Sequence, residues 1–208
     1  MALKQNVTVF GKKGNTSSMK NLLKFLFEVG QLKKVKRSGW WLIGVDLPES
    51  VADHSFRCAV IGYFLAKLEN ANPYKVAIMC LFHDIHEARI NDLHRVGQRY
   101  IDFGAAEKKA FNEQTESLSD ELGSEIKPLL ELFGNKNNIE GTLAKDADIL
   151  ECALQAREYQ HEGFVGADDW LKNAKGTLIS KSAQKLLELI ETSNPDEWWK
   201  LLKNPLKR

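Results

Sequence analysis

Residues 70–88, NANPYKVAIMCLFHDIHEA, decide the fold class of this chain. Asn72 is a strong helix N-cap. Pro73 suits the first helical position, because the N–H it lacks would have no intrahelical partner there. Leu81, Phe82, Ile85, Ala88 and Ile90 place apolar groups at intervals beyond this start, so the segment predicts a helix with a core-facing side. Charge enters the same segment: His83 and Asp84 are adjacent, and residues 81–100 carry three of the chain's five histidines. An unpaired buried carboxylate costs on the order of several kcal/mol, and no lysine or arginine on that face supplies a counter-charge. A bound cation would.

Helix signals continue on both sides. Ser18 is placed to cap a helix bearing Leu22, Leu23, Leu26 and Val29, stopped near Gly30. The loop KRSGWWLIGVDLPES, residues 36–50, comes next, with adjacent tryptophans, two glycines and a proline. A second helix runs from about Ser50 to Leu68, with His54, Cys58, Ile61, Leu65 and Leu68 on one stripe. Ala105–Leu122 predicts a charged amphipathic helix, and Ser124–Phe133 a shorter one ended by Gly134 and Asn135. Ile139–Glu162 predicts a long helix closed by Gly163. Leu178–Glu191 and Pro195–Leu202 finish the chain. Few stretches alternate with period two, and no repeat occurs. The expected class is all-α, a single-domain helical bundle over residues 19–208 behind a polar leader at 1–18.

Bulk composition narrows the partners. The chain has 208 residues, 43% hydrophobic and 27% charged, enough for one soluble domain with a sizeable core. A net charge of +1 gives no reason to expect nucleic acid or an anionic membrane. The longest apolar run, Ala59–Ala66, falls far short of the ~20 residues of a membrane span. Three cysteines, Cys58, Cys80 and Cys152, show no paired spacing and sit in apolar helical patterns. They read as buried thiols of a cytoplasmic protein rather than a disulfide framework.

His54, His83, Asp84 and a carboxylate of KDADILE, residues 145–151, form one set when three helices converge. Imidazole and carboxylate together are the ligands of a borderline divalent metal such as Mn, Co, Ni, Fe or Zn. Each piece has a plainer reading: a histidine on an apolar stripe such as His54 is often a hydrogen-bonded core residue. Asp146 and Asp148 both qualify as the late carboxylate, and periodicity does not choose between them.

These residues resemble the HD-domain metal-dependent phosphohydrolases, whose pattern is H…HD…D. Within that family the blocks KRSGWW, ESVADHS, LFHDIHEARINDL and AKDADILECALQAREY look like those of the 5'-deoxynucleotidase and HD-domain-containing-protein-2 group, over roughly residues 20–165. The HD dipeptide alone is unspecific; the ordered blocks are not. The resemblance implies a bundle of the HD-domain type, with His54, His83, Asp84 and Asp148 as metal ligands. Asp148 is favoured because the family's aspartate directly precedes the xxE that Ile149, Leu150 and Glu151 supply here.

The same resemblance makes Glu87 the acid/base and sets Asp92 near the nucleophile or leaving group. It places the family's R-x-x-W at Arg37 and Trp40, as phosphate clamp and sugar wall. The chain departs from that pattern at His86, where a small residue is usual, and at NDLHR, residues 91–95, where GDxP is usual. His86 reads as exposed, as a partner to a ligand, or as a ligand of a second metal. His94 and Arg95 stand close enough to Asp92 to touch substrate, and Lys145 reads as solvated. The implied reaction is removal of the 5'-phosphate from (deoxy)nucleoside monophosphates by a homodimer. A cyclic nucleotide, a nucleoside triphosphate or guanosine tetraphosphate is the alternative substrate. A non-catalytic interaction module, using the tail NPDEWWKLLKN, is the alternative to an enzyme.

Overall fold

The computed structural model describes residues 16–118 and 120–203, and over that range the chain is all-α. Most of the leader at 1–18 lies outside the described residues. Helix α1 (Thr16–Val29) is followed by short 3-10 turns at Gly30–Lys33 and Ser38–Ile43. Then come α2 (Val51–Leu68), α3 (Pro73–Phe82), α4 (Glu87–Ile90), α5 (Arg95–Gln98) and α6 (Phe103–Glu116). The chain closes with α7 (Asp120–Gly123), α8 (Ile126–Glu131), α9 (Ile139–His161), α10 (Asp168–Thr177), α11 (Lys181–Thr192) and α12 (Glu197–Lys200). Among the described residues no helix is long and apolar enough to cross a membrane.

Local chemistry explains the helix starts. Ser50 and Asp53 form a reciprocal capping box at the head of α2. Asn72 accepts from Tyr74 and Lys75 N–H ahead of Pro73, and Asn138 accepts from Gly141 N–H. Ser18, expected as a cap, lies inside α1 instead.

Helix α9 is the centre of the bundle and packs against α2, α3, α10 and α11. Ala144, Ala147, Ala153 and Ala156 are fully buried along it, so small side chains let neighbours approach closely. At Gly62 on α2 a Cβ would come within 2.7 Å of Cys80 Sγ and 2.9 Å of Val76, which fixes the α2–α3 distance. The main core joins Trp40, Cys58, Leu65, Met79, Cys80 and Leu150. A second cluster, Phe25, Leu32, Val35, Val51, Ile85 and Leu118, seats α1.

Several expected faces are corrected. In α1 it is Phe25, with Leu22 and Val29, that faces inward; Leu23 and Leu26 are exposed. Leu68, the last residue of α2, is exposed rather than part of the inward stripe. The expected Ala105–Leu122 helix ends at Glu116, where Ser117 turns back onto Gln114 O. Leu178 and Ile179 stay extended, because Asp146 binds the backbone ahead of α11.

The helix predicted to run through His83 and Asp84 also breaks there. α3 stops at Phe82, and residues 83–86 continue as turns with i to i−3 bonds, Ile85 N–H to Phe82 O at 3.2 Å and Glu87 N–H to Asp84 O at 3.0 Å. Ile85 goes to the second cluster and Cys80 to the first, so the HD dipeptide sits at the seam between two cores.

Candidate active site and metal centre

His54 lies one turn inside α2, fully buried, with Nδ1 against the Glu151 carboxylate of α9. Arg57, one turn further along α2, donates Nε–H to Glu151 at 2.8 Å and Nη1–H to Glu158 at 2.7 Å. His83 Nδ1 donates to the Cys80 carbonyl at 2.7 Å, and its ring stacks on Phe133. Each imidazole is therefore held by Nδ1, which leaves Nε2 pointing inward.

Those two Nε2 atoms meet two aspartates. His54 Nε2 is 3.2 Å from Asp148 Oδ1 and 3.8 Å from Asp84 Oδ2. His83 Nε2 is 3.0 Å from Asp84 Oδ2 and 3.7 Å from Asp148 Oδ1. Among the described residues, neither Nε2 has a hydrogen-bond partner. With Nδ1 as the donor, each Nε2 turns toward carboxylate oxygens, so the site calls for positive charge there, supplied either by a proton on the ring, as the raised His83 value reflects, or by a divalent ion between the two rings and the two aspartates. Two imidazole nitrogens and two carboxylates are a fitting donor set for a borderline divalent ion. Asp146 takes no part: it accepts from Ile179 and Ser180 N–H and ties α11 to α9.

The expectation that nothing basic neutralises Asp84 is overturned. Arg37 Nη1 lies 3.5 Å from Asp84 and 3.3 Å from Asp92, and Nη2 contacts Cys152 Sγ at 3.2 Å. Lys145 is not merely solvated, since it binds Asp148 Oδ2 at 2.7 Å. Both cations come from other elements, so neither could be found on the α3 face. Cys152 is likewise only partly buried, at the cavity wall, while Cys58 and Cys80 are buried; all three are free.

Electrostatics separates the acids. Burial alone would raise Asp84 and Asp148, but His83 and Arg37 around Asp84, and Lys145 and the histidines around Asp148, hold both well below the ordinary carboxylate range. Burial would lower His83, yet the two aspartates hold it well above the usual imidazole value. Glu87 goes the other way: burial and the nearby Asp84 and Asp92 charges push its carboxyl well up. One acid that keeps its proton among others that have lost theirs is a general-acid pattern.

These groups border a cavity of about 620 Å³, a volume suited to a nucleotide-sized ligand. Glu87, Asp92, Trp40, His94 and Arg95 all line it, Arg95 from an exposed position at the rim. Ser38 donates to Asp92 at 3.0 Å and accepts from His94 N–H at 2.8 Å, which fixes the NDLHR turn. Asn91 makes that turn with φ of +61°. Trp40 is buried, stacked on Trp170, edge-on to Tyr159, and donates Nε1–H to Glu49 at 3.1 Å. Trp41 is exposed.

Sequence reasoning used Glu151 only as a landmark and missed Arg57, Glu49 and the α10 wall of Asp169, Trp170 and Asn173. Arg57 stands three residues after His54 and Glu151 three after Asp148, so helical spacing alone held their signal. His86 Nε2 lies 3.3 Å from Glu107, and one His86 ring nitrogen falls within 4.8 Å of a carboxylate oxygen of Asp84 and one of Glu87.

Comparison with known proteins points the same way. The family described as HD domain matches residues 29–189. The chain is similar to a Dictyostelium discoideum protein named 5'-deoxynucleotidase HDDC2, 37% identical over 153 residues, covering 69% of this chain and 80% of that one. A Homo sapiens protein of the same name is 33% identical over 142 residues, 68% of this chain and 69% of its own. Among solved structures, the PH0347 protein of Pyrococcus horikoshii is 30% identical with a TM-score of 0.70, covering 81% of this chain and 97% of that one.

Proposed function

This chain belongs to the HD-domain family, and on that premise we propose that it is a metal-dependent phosphohydrolase removing the 5'-phosphate of (deoxy)nucleoside monophosphates. The observation that carries the reading is the pair of buried, unpartnered Nε2 atoms facing Asp84 and Asp148 beside a nucleotide-sized cavity. His54, His83, Asp84 and Asp148 would hold a divalent ion, which when bound supplies Lewis-acid polarisation of the phosphoryl group and a lowered pKa for water.

The chain's own groups do the rest. Arg37 presents its guanidinium to the phosphate oxygens, and its present partners, Asp84 and Asp92, keep it pointed into the cavity. Glu87 carries the proton that the 5'-oxygen needs as the P–O bond breaks. Asp92, held by Ser38, orients the attacking water or the leaving group. Trp40 cannot yield to a bulkier sugar, since Trp170, Tyr159 and Glu49 hold it on three sides; this favours deoxyribose. Arg95 at the rim meets the nucleoside end.

We also place the protein in the cytoplasm, as a homodimer with no nucleic-acid partner. Free cysteines and a net charge of +1 support the first and last of these. Exposed apolar rows on neighbouring helices support the dimer: Phe56, Val60 and Phe64 on α2, Tyr74, Ile78 and Leu81 on α3. Light scattering of the purified protein tests it, and a monomer at micromolar concentration would reject it.

The decisive experiment is a product assay. Protein stripped with chelator and refilled with Mn²⁺ or Co²⁺ is offered ribo- and deoxyribonucleoside 5'-monophosphates, triphosphates and cyclic nucleotides. Inorganic phosphate from deoxynucleoside monophosphates, absent without metal, is expected. Turnover restricted to the other substrates would replace this reading.

A further inference from the structure

His86 and Glu107 have no part in the reaction proposed above, yet both stand at its edge. His86 is 8% exposed and its Nε2 makes no hydrogen bond to the described residues, although Glu107 Oε1 lies 3.3 Å away. Glu87 is 6% exposed, and its Oε2 is also without a hydrogen-bond partner among the described residues. One ligand atom each from Asp84, His86 and Glu87 lie within 4.8 Å of one another. The tight turns after α3 gather them, with Glu87 N–H bonded to Asp84 O and Arg89 N–H to His86 O. A cavity of about 260 Å³, lined by His83, His86, Glu107, Phe111 and Phe133, opens behind them. Glu107 also lines the larger cavity.

Two orphaned buried ligand atoms beside a carboxylate are poor company for one another without a positive charge. We propose that Asp84, His86 and Glu87, with Glu107 in reach, bind a second divalent ion of the borderline class, and that this ion shuts hydrolysis down by occupying the Glu87 carboxylate. Donor atoms on such an ion, at bonds of about 2.0–2.2 Å, lie no more than roughly 4.4 Å apart, so the three side chains close in around the ion as it binds. Imidazole with carboxylates selects Mn, Co or Zn over Ca or Mg. Binding is weaker than at His54 and His83, because Asp84 is shared and the two dications repel. A carboxylate engaged by an ion cannot also hand a proton to the leaving oxygen. The inhibitory effect rests on the reaction proposed above; the binding does not.

The test titrates chelator-stripped full-length protein with Mn²⁺ by calorimetry, and counts ions by elemental analysis after dialysis. Wild type is expected to take two ions in separate steps, and His86→Ala and His86→Asn one. Glu107→Gln leaves both steps but weakens the second about tenfold, so the site remains testable if neither His86 variant folds. Phosphate release from a deoxynucleoside monophosphate should rise over the first step, then fall on the order of 10²-fold over the second, the contribution of one general acid. The His86 variants should rise and stay level. A single ion in the wild type at saturating Mn²⁺ overturns the proposal, as do two ions and the fall at high metal in the His86 variants. Two steps in the wild type and one in the variants, with no nucleotide hydrolysed, would support the second site and reject the substrate reading instead.

Discussion

Glu151 on α9 and His54 on α2 form a fully buried pair, the carboxylate against Nδ1, so that Nε2 can face only Asp148 and Asp84. Burial works against the charge on Glu151, but His54 and Arg57 hold it ionised. An ionised acceptor at Nδ1 makes Nε2 a stronger donor of electrons to a cation. Glu151→Gln keeps the volume and an acceptor oxygen but loses the charge. It should weaken metal binding about 10- to 100-fold, measured by competition with a chromophoric chelator. Unchanged affinity would mean that His54 is held by packing alone.

Glu87→Gln separates chemistry from metal binding at the first centre. Turnover should fall on the order of 10²- to 10⁴-fold while the first equivalent of metal stays bound. Phosphate-release kinetics with parallel metal analysis give both readouts. Wild-type kcat in this variant removes Glu87 from proton transfer.

Arg37→Ala should act chiefly on KM. Losing charge-assisted bonds to phosphate is worth about 1.5–3 kcal/mol, or roughly 10- to 100-fold in KM for the monophosphate. Steady-state kinetics decide this, and an unchanged KM rejects the clamp. Arg37→Lys should recover only part of the loss, since an ammonium lacks the fork.

Glu49 makes stability depend on pH. Burial and the nearby Glu151 raise its carboxyl from 4.5 to about 7. The folded chain then keeps a proton that the unfolded chain has already released. No penalty arises below the unfolded value; it grows as pH climbs and is complete near pH 7, at roughly 3 kcal/mol. Glu49→Gln retains an acceptor for Trp40 Nε1 and should flatten this part of the profile. Urea melts of metal-free protein from pH 4 to pH 8 measure it. Parallel profiles for the two proteins would assign the pH dependence elsewhere.

Much of this arrangement was legible in the chain before folding. His54 on its stripe, the HD pair and the aspartates of KDADILE carry helical spacing and a composition unusual for a core. Of the groups a linear reading missed, Arg37 and Glu49 come from an element far off in sequence, while Lys145 and Arg57 sit one helical turn from the site residues on their own helices. Arg37 reaches Asp84 from the tryptophan loop, and Lys145 reaches Asp148 along α9, so an apparently uncompensated acid has neighbours. The choice of Asp148 over Asp146 became a matter of contacts only when α11 arrived to claim Asp146. The break after Phe82 was hidden too, because Leu81, Phe82, Ile85 and Ala88 keep a helical apolar spacing across it, and the tight turns are stabilised by the clusters that Ile85 and Cys80 join on opposite sides.

The Lys36–Ser50 bridge closes the tryptophan loop at its base, with Arg37 N–H bonded to Glu49 O and Val51 N–H to Val35 O. Arg37, Trp40 and Glu49 therefore travel together on one short stapled segment, while the proposed metal ligands come from α2, from the turn after α3 and from α9. On the roles proposed for Arg37 and Trp40, part of the selectivity is carried by a stretch separable from the proposed metal ligands. Grafting residues 36–50 from a relative with different tastes should redirect which nucleotide is accepted without dismantling the hydrolytic apparatus, a division of labour that lets such a scaffold diversify by exchanging one loop.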